Sequence, residues 1–142
     1  MVFRATDVST GEEVAVKVFA GPVRSAETLL RFTQERLLRV DHANLVASRG
    51  GFDDGETACI VMDLVRGPTL TEYVAITGVV QDGAAAWVAS EILLGLDAMH
   101  QMGVIHRDIK PDNVLMDEFE GGCRIRLGDL GCALVLDGPR LT

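Results

Sequence analysis

Three side chains with complementary chemistry lie within six residues, in the run His106-Arg107-Asp108-Ile109-Lys110-Pro111-Asp112-Asn113. The carboxylate of Asp108 can accept a proton from a hydroxyl nucleophile, and the ammonium of Lys110 can neutralise a phosphate oxygen. The amide oxygen of Asn113 can ligate a hard cation. Because Pro111 interrupts any continuous helix, the run predicts a rigid polar loop. These are the groups that phosphoryl transfer needs.

The run resembles the catalytic loop of eukaryotic-type protein kinases, with eight consecutive residues matching. Lys110 is typical of the serine/threonine branch. The resemblance implies that Asp108 orients the acceptor hydroxyl and takes its proton, while Lys110 steadies the γ-phosphate of ATP. It therefore implies a kinase that transfers the γ-phosphoryl of ATP to a serine or threonine of a protein substrate.

Two β-prone runs, Val2–Thr6 and Val14–Phe19, flank a turn-rich stretch that ends at Thr10-Gly11. This pattern predicts a hairpin. The strand period of two places Ala15 and Lys17 on one face. The small side chain of Ala15 leaves room for a flat base beside the ammonium of Lys17.

The segment Val14-Ala15-Val16-Lys17 resembles the kinase signature whose lysine anchors the α and β phosphates of the nucleotide. An isolated lysine on a strand is most often a solvated side chain, and the resemblance favours the functional interpretation. It also implies that Val2 packs on the adenine, as the valine that follows the family's glycine-rich loop. We therefore expect the chain to begin after the family's first strand and that loop.

A helix is predicted from Ser25 to Val40, with Ser25 as its cap and Glu27 in its first turn. Its apolar contacts are expected from four side chains, Leu29, Phe32, Leu37 and Leu38.

Within this helix, Glu35 shares a stripe with Phe32 and Leu38 at three-residue spacing. Glu35 can therefore point inward and pair with Lys17, as the resemblance implies. The stretch that follows Glu35 is about two residues shorter than the usual family pattern, so Gln34 competes for the same position. Pairing through Gln34 would remove the ion pair that sets the active geometry.

The nearly continuous apolar run Thr57–Met62 suits a buried strand that follows a turn from Gly50 to Gly55. The segment Asp63–Pro68 then breaks the strand. The resemblance implies that this segment is the kinase hinge, with Met62 at the back of the adenine pocket. The backbone from Asp63 to Val65 would then offer hydrogen bonds to the base. An ordinary interdomain linker fits the same residues.

Two helices are predicted after the hinge, from Thr69 to Val74 and from Asp82 to Met102, the second stopped by Gly103. Asp82 is expected to cap the second helix. Its core stripe has helical spacing and comprises Ala85, Val88, Ile92, Leu96 and Met99. Trp87 is expected to pack as well.

Towards the end of the chain, two short strands, Val114–Met116 and Arg124–Leu127, are predicted around an acidic, glycine-containing loop from Asp117 to Gly122. His106 is expected to pack and hydrogen-bond beneath the catalytic loop rather than bind a metal. Leu115, by resemblance, would pack against the base.

The triplet Asp129-Leu130-Gly131 follows the second of these strands directly. Alone it is weak evidence, since such a triplet is most often a turn. After a catalytic loop and a hairpin it resembles the kinase magnesium motif. The resemblance implies that Asp129 and Asn113 together hold Mg²⁺.

The composition predicts an ordinary soluble domain: 142 residues, 48% of them hydrophobic and 24% charged. A net charge of −8 argues against a nucleic-acid surface. The three cysteines show no paired short spacing, which favours a reducing compartment over a disulfide framework or a zinc site. With no membrane-length apolar run and no signal-peptide core, we expect an intracellular, cytoplasmic protein without a membrane partner.

Together the elements predict an α+β, protein-kinase-like bilobal fold: a small antiparallel sheet with one helix, then a truncated, mainly helical lobe. The expected boundaries are residues 1–62 for the first lobe, 63–67 for the hinge and 68–142 for a partial second lobe that ends just after the magnesium motif. By resemblance, this is about half of a catalytic domain.

Two other functions stay open at this point. A pseudokinase or regulatory binding module would explain the absent glycine-rich loop and the short helix spacing. A small-molecule phosphotransferase of kinase-like fold shares an aspartate and an asparagine in its loop. The pattern of Arg107 and Lys110-Pro111 resembles protein kinases more closely.

Overall fold

The computed structural model describes residues 1–19 and 25–136. These residues form two compact units. The first comprises Met1–Val40 and Ala47–Leu64, and the second comprises Asp41–Val46 together with the chain from Val65 onward. Within the described ranges, none of the helices combines the length and the apolar character that crossing a bilayer requires.

A four-stranded antiparallel sheet forms the centre of the first unit. Its strands are β1 (Val2–Thr6), β2 (Glu13–Val18), β3 (Ser48–Asp53) and β4 (Ala58–Asp63), in the spatial order β1-β2-β4-β3. The predicted hairpin of β1 and β2 is confirmed, with Ala5 opposite Val14 and Val2 opposite Lys17. Phe19 and Phe32 pack edge to face over this sheet with Ala58 and Ile60.

Helix α1 (Ala26–Leu37) packs against the sheet through buried Phe32. Ser25 caps it by accepting a hydrogen bond from the backbone of Thr28, as predicted. Phe32 and Leu38 are buried, whereas Leu29 and Leu37 are exposed, so the expected contacts of these two leucines are wrong. The reason is that the buried face of the helix is narrow and is set by Phe32 and Glu35: Leu29 lies a turn before this face begins, and Leu37, two residues after Glu35, points away from it.

The turn predicted from Gly50 to Gly55 is also wrong in its first part, because β3 continues to Asp53. A Cβ atom on Gly51 would come within 2.7 Å of the Cys59 carbonyl oxygen and 2.8 Å of Ile60 Cδ1. Glycine is therefore required here by close packing against β4 rather than by a turn. The chain reverses later, where Asp54 accepts hydrogen bonds from two backbone amides.

The second unit contains two helices, α2 (Leu70–Thr77) and α3 (Asp82–Gln101), and two short 3-10 helices, Pro111–Asn113 and Leu130–Cys132. Helix α2 begins with a reciprocal capping box between Thr69 and Glu72.

The predicted cap of helix α3 is wrong: Asp82 lies in the first turn, and Gln81 occupies the N-cap position without a side-chain capping hydrogen bond. Val88 and Met99 of the predicted stripe are buried, but Ala85 is exposed. Trp87, which was expected to pack, keeps 38% of its surface exposed. The core contacts of α3 therefore begin one turn later than the spacing predicts.

Four strands complete the second unit: β5 (Val104–Ile105), β6 (Val114–Phe119), β7 (Gly122–Leu127) and β8 (Leu134–Val135). β6 and β7 form an antiparallel hairpin, and β5 pairs with β8. The hairpin strands are longer than predicted, because most of the supposed acidic loop pairs across the hairpin. Asp117, for example, lies opposite Arg124 and forms an ion pair with Arg126.

The segment Asp41–Val46 is built into the second unit along β7. Leu45 forms a parallel bridge with Leu127, and both are almost completely buried. The side-chain Nδ2 of Asn44 donates to Glu91 Oε2 on α3 at 2.7 Å and to the Ile125 carbonyl oxygen at 2.9 Å. These contacts hold β7 in place, and β7 leads directly to Asp129.

Candidate active site

In the first unit, strand β2 and helix α1 bring Lys17 and Glu35 together. Lys17 Nζ lies 2.8 Å from Glu35 Oε2 and 3.1 Å from Oε1. The two side chains are only 14% and 6% exposed, so the pair is largely desolvated. Glu35, and not Gln34, therefore faces Lys17. The ammonium also lies 5.2 Å from the ring centre of Phe19, a cation–π distance.

The remaining candidates of the first unit lie on neighbouring strands. Val2 is opposite Lys17 and is 59% exposed. Ala15 is buried opposite Met62, which packs partly buried against the aromatic core. Asp63 ends β4 and donates its backbone N–H to the Ala47 carbonyl at 3.0 Å.

In the second unit, the loop before β6 holds three functional groups in mutual contact. Lys110 Nζ donates to Asp108 Oδ2 at 2.8 Å. Asn113 Nδ2 donates to the same oxygen at 3.0 Å and to the Asp108 backbone oxygen at 2.9 Å. Asn113 is buried at the end of the 3-10 turn that Pro111 begins, so its side chain holds the loop from the interior of the unit.

These contacts set the charge state of the loop. The hydrogen bond from Lys110 is the main reason why the pKa of Asp108 lies below its ordinary value, and the bond from Asn113 adds to it. The same bond to Asp108 raises the pKa of Lys110. Near neutral pH the loop therefore presents a carboxylate and an ammonium side by side.

His106 connects this loop to Gly128, the residue that precedes the triplet Asp129-Leu130-Gly131. It is 1% exposed, and its Nε2 lies 3.0 Å from the Gly128 carbonyl oxygen. Its Nδ1 accepts the backbone N–H of Asp108 at 3.3 Å. A neutral ring protonated on Nε2 satisfies both contacts. The prediction that His106 packs and hydrogen-bonds beneath the loop is confirmed.

A second connection joins Asn113 to the neighbourhood of Asp129. The backbone of Gly128 donates to the Asn113 carbonyl oxygen at 2.9 Å. Asp129 follows in the left-handed region, at φ 56°, and its Oδ1 accepts the Gly131 N–H at 3.2 Å. Leu115 packs closely on Gly128, since a Cβ at Gly128 would lie 2.8 Å from Leu115 Cδ1 and the leucine side chain would have to shift.

The contact made by the Arg107 side chain was not predicted from the sequence. Its backbone also lies in the left-handed region, at φ 66°, and its Nε donates to the Cys132 carbonyl oxygen at 2.6 Å. This bond connects the loop to the residue just past the triplet Asp129-Leu130-Gly131.

Val65, the last hinge candidate, is half-buried at the start of the second unit.

The donor set fits a hard cation with few protein ligands. Because the Asn113 amide nitrogen makes two hydrogen bonds to Asp108, its amide oxygen is the atom oriented for a cation. Asp129 adds a carboxylate, and one amide plus one or two carboxylates is the usual protein share of a Mg²⁺ site. Among the described residues, no cluster of three His, Cys, Asp or Glu side chains forms a metal cage.

Comparison with known proteins decides the family. A family model described as the protein kinase domain matches residues 1–141. The chain belongs to the protein kinase domain family. This confirms the resemblance carried by the catalytic loop and by the lysine strand, together with the α+β fold class.

Serine/threonine kinases are among the relatives of this kinase-domain chain. It is 42% identical over 135 residues to serine/threonine-protein kinase PkaA of Streptomyces coelicolor, covering 93% of the chain and 25% of PkaA. It is 39% identical over 137 residues to PkaB of the same organism, covering 91% of the chain and 33% of PkaB. The chain thus spans about a quarter to a third of these relatives.

Solved kinase structures share the fold. The structure of the Rad53 kinase domain and SCD2 in complex with AMPPNP superposes with a TM-score of 0.73 at 27% sequence identity. The match covers 94% of this chain and 48% of the Rad53 chain. The kinase-domain chain therefore corresponds to about half of that solved chain.

Proposed function

We propose that this kinase domain transfers the γ-phosphoryl group of ATP to a serine or threonine hydroxyl of a protein. The observation that carries the proposal is the contact of Asp108 with both Lys110 and Asn113, at 2.8 and 3.0 Å. A loop that holds a carboxylate, an ammonium and an amide in contact has the groups that this reaction uses.

Lys17 anchors the α and β phosphates of the nucleotide in this proposal. Its ammonium is held by both carboxylate oxygens of Glu35, so its position is fixed before any nucleotide binds. Fixing a donor in advance removes the cost of ordering it during binding. The 14% exposure of Lys17 leaves part of the side chain accessible to a phosphate.

The adenine base is assigned to residues that offer apolar contacts or backbone hydrogen-bonding groups. Val2, Ala15, Met62 and Leu115 supply the apolar contacts. The backbone of Asp63 and Val65 supplies hydrogen bonds to the edge of the base. A flat base needs this combination of apolar faces and a few placed polar groups.

Asp108 orients the acceptor hydroxyl and takes its proton as the oxygen attacks the γ-phosphorus. The bond from the oxygen to phosphorus forms while the bond from the γ-phosphorus to the β,γ-bridging oxygen breaks, so ADP leaves with the electron pair. Lys110 stabilises the charge on the γ-phosphate oxygens. The lowered pKa of Asp108 keeps its carboxylate ionised near neutral pH, so the carboxylate can accept a hydrogen bond from the acceptor hydroxyl and take its proton as the new bond to phosphorus forms.

Asn113 and Asp129 are the proposed ligands of Mg²⁺. When bound, the cation neutralises charge on the phosphate oxygens and orients them. The hydrogen bonds of Asn113 to Asp108 hold the amide so that its oxygen is presented to the cation. Loss of Asn113 would therefore affect both the metal ligand and the position of Asp108.

The experiment that tests this function compares acceptors. The protein is incubated with Mg²⁺ and γ-labelled ATP, and with either a pool of serine and threonine peptides or a set of aminoglycosides and choline. We expect label on the peptides and none on the same peptides with alanine at the acceptor position. Label only on the small molecules would make the chain a small-molecule phosphotransferase. ATP binding without any transfer would favour a regulatory module.

A further inference from the structure

Arg49 occupies an irregular position in strand β3. Ser48 lies opposite Met62 on β4 and Gly50 lies opposite Val61, so the register shifts between them and Arg49 bulges out. Gly50 accommodates the bend with a φ of 141°. A bulge of this kind redirects the side chain of the extra residue.

The redirected guanidinium of Arg49 bonds two carboxylates from separate parts of the chain. Its Nε donates to Asp63 Oδ1 at 2.8 Å, and its Nη1 donates to Glu12 Oε2 at 2.5 Å. Glu12 immediately precedes β2, and Asp63 is the last residue of β4. The hydrogen bond to Asp63 is the main cause of the raised pKa of Arg49, with the bond to Glu12 next.

Asp63 is therefore held from two sides. Its backbone N–H donates to the Ala47 carbonyl oxygen, and its side chain is fixed by Arg49. Its side chain is 23% exposed, so the ion pair is partly shielded from water. With its N–H bonded to Ala47 and its carboxylate held by Arg49, the Cα atom of Asp63 is fixed at the end of β4, and so is the point from which the next peptide unit begins.

We propose that Arg49 is a positioning residue for nucleotide recognition, acting through Asp63 on the backbone that receives the adenine. The inference rests on the proposed ATP-binding function and assigns a role to a residue outside the set proposed to contact the nucleotide. Arg49 fixes the position of Asp63 at the end of β4 and so affects recognition of the base, while the phosphates are bound by other groups.

The test uses two probes, Mg·ATP and Mg·tripolyphosphate, which share the phosphates and differ in the base. For Arg49→Gln we expect a dissociation constant for ATP that is about two- to fivefold higher, the range set by partly exposed ion pairs. The constant for tripolyphosphate should stay at the wild-type value. Arg49→Lys, which keeps the charge and one hydrogen bond, should restore part of the ATP affinity.

Arg4→Gln is the matched control, since Arg4 is an arginine of the same sheet that forms an exposed ion pair with Glu13. It should leave both constants unchanged. Equal ATP affinities for the wild type and Arg49→Gln, or a parallel loss for both probes, would overturn the positioning role. Wild-type protein that binds neither probe would instead overturn the proposed function, and the inference with it.

Discussion

Lys17 Nζ lies 2.8 Å from Glu35 Oε2, and neither side chain keeps more than 14% of its surface exposed. A largely buried pair resists the removal of either partner, because the remaining charge stays desolvated. Glu35→Gln should therefore lower the free energy of unfolding by about 3 kcal/mol and also weaken Mg·ATP binding. Urea denaturation and nucleotide titration measure the two effects.

The same pair allows stability and function to be separated. Replacing both partners, as Lys17→Met with Glu35→Leu, removes the stranded charge and should recover most of the lost stability. ATP binding should not recover, because the phosphate anchor is gone. A double variant that binds ATP like the wild type would show that Lys17 is not the anchor. Arg4→Gln, which breaks an exposed pair, should change stability by less than about 1 kcal/mol.

The hydrogen bond from Lys110 to Asp108 can be tested by titrating the Asp108 carboxyl group. Lys110→Met removes the main cause of the lowered Asp108 pKa, so this pKa should rise toward its ordinary value. Lys110→Arg should keep it low. The titration is followed by NMR of the Asp108 carboxyl carbon in nucleotide-free, magnesium-free buffer. An unchanged titration midpoint in Lys110→Met would contradict the assignment.

The lowered pKa of Asp108 also determines how the stability of the folded state changes with pH. Because folding lowers the pKa of Asp108, the ionised form stabilises the folded state at pH values above the unfolded pKa. That contribution is lost as the pH falls through the lowered, folded value. The wild type should therefore lose more stability on acidification than Lys110→Met loses over the same interval.

Magnesium dependence tests the assignment of Asp129. Asp129→Asn removes a carboxylate ligand and should raise the Mg²⁺ concentration needed for half-maximal transfer by at least about tenfold. Asp97→Asn, on the exposed face of α3, is the control and should leave the Mg²⁺ requirement unchanged. Equal Mg²⁺ curves for Asp129→Asn and the wild type would exclude Asp129 as a ligand.

Gly51 provides a test of the fold. A Cβ at this position would meet the Cys59 carbonyl oxygen at 2.7 Å, and that backbone atom cannot move aside cheaply. Gly51→Ala should therefore destabilise the protein by about 1–3 kcal/mol in urea unfolding. Gly83→Ala, in the first turn of α3 with open space around it, should be neutral or stabilise by up to about 1 kcal/mol. Equal effects of the two would contradict the packing of β3 on β4.

The sequence allowed prediction of groups that lie close together along the chain. Asp108, Lys110 and Asn113 fall within one loop, so their contact follows from local chain geometry. The inward position of Glu35 followed from its stripe with Phe32, although Gln34 stayed open until the structure placed Glu35 on Lys17.

What could not be predicted depends on backbone atoms from distant parts of the chain. The ring of His106 bonds a carbonyl of Gly128, and Arg107 bonds a carbonyl of Cys132. Every residue carries a carbonyl, so neither partner leaves a signal in the sequence. The bulge at Arg49 has the same origin, since strand register is decided by packing across β3 and β4.

The most direct measurement of the central claim compares wild type and Asp108→Asn in two assays, Mg·ATP binding and phosphoryl transfer to a serine/threonine peptide. Asparagine keeps the shape of the side chain and cannot accept the proton. We expect binding to stay within about twofold of the wild type while transfer falls by about 10²- to 10⁴-fold. Asp82→Asn, in the exposed first turn of α3, should change neither. Undiminished transfer by Asp108→Asn would contradict the proposed role of this residue and, with it, the proposed mechanism.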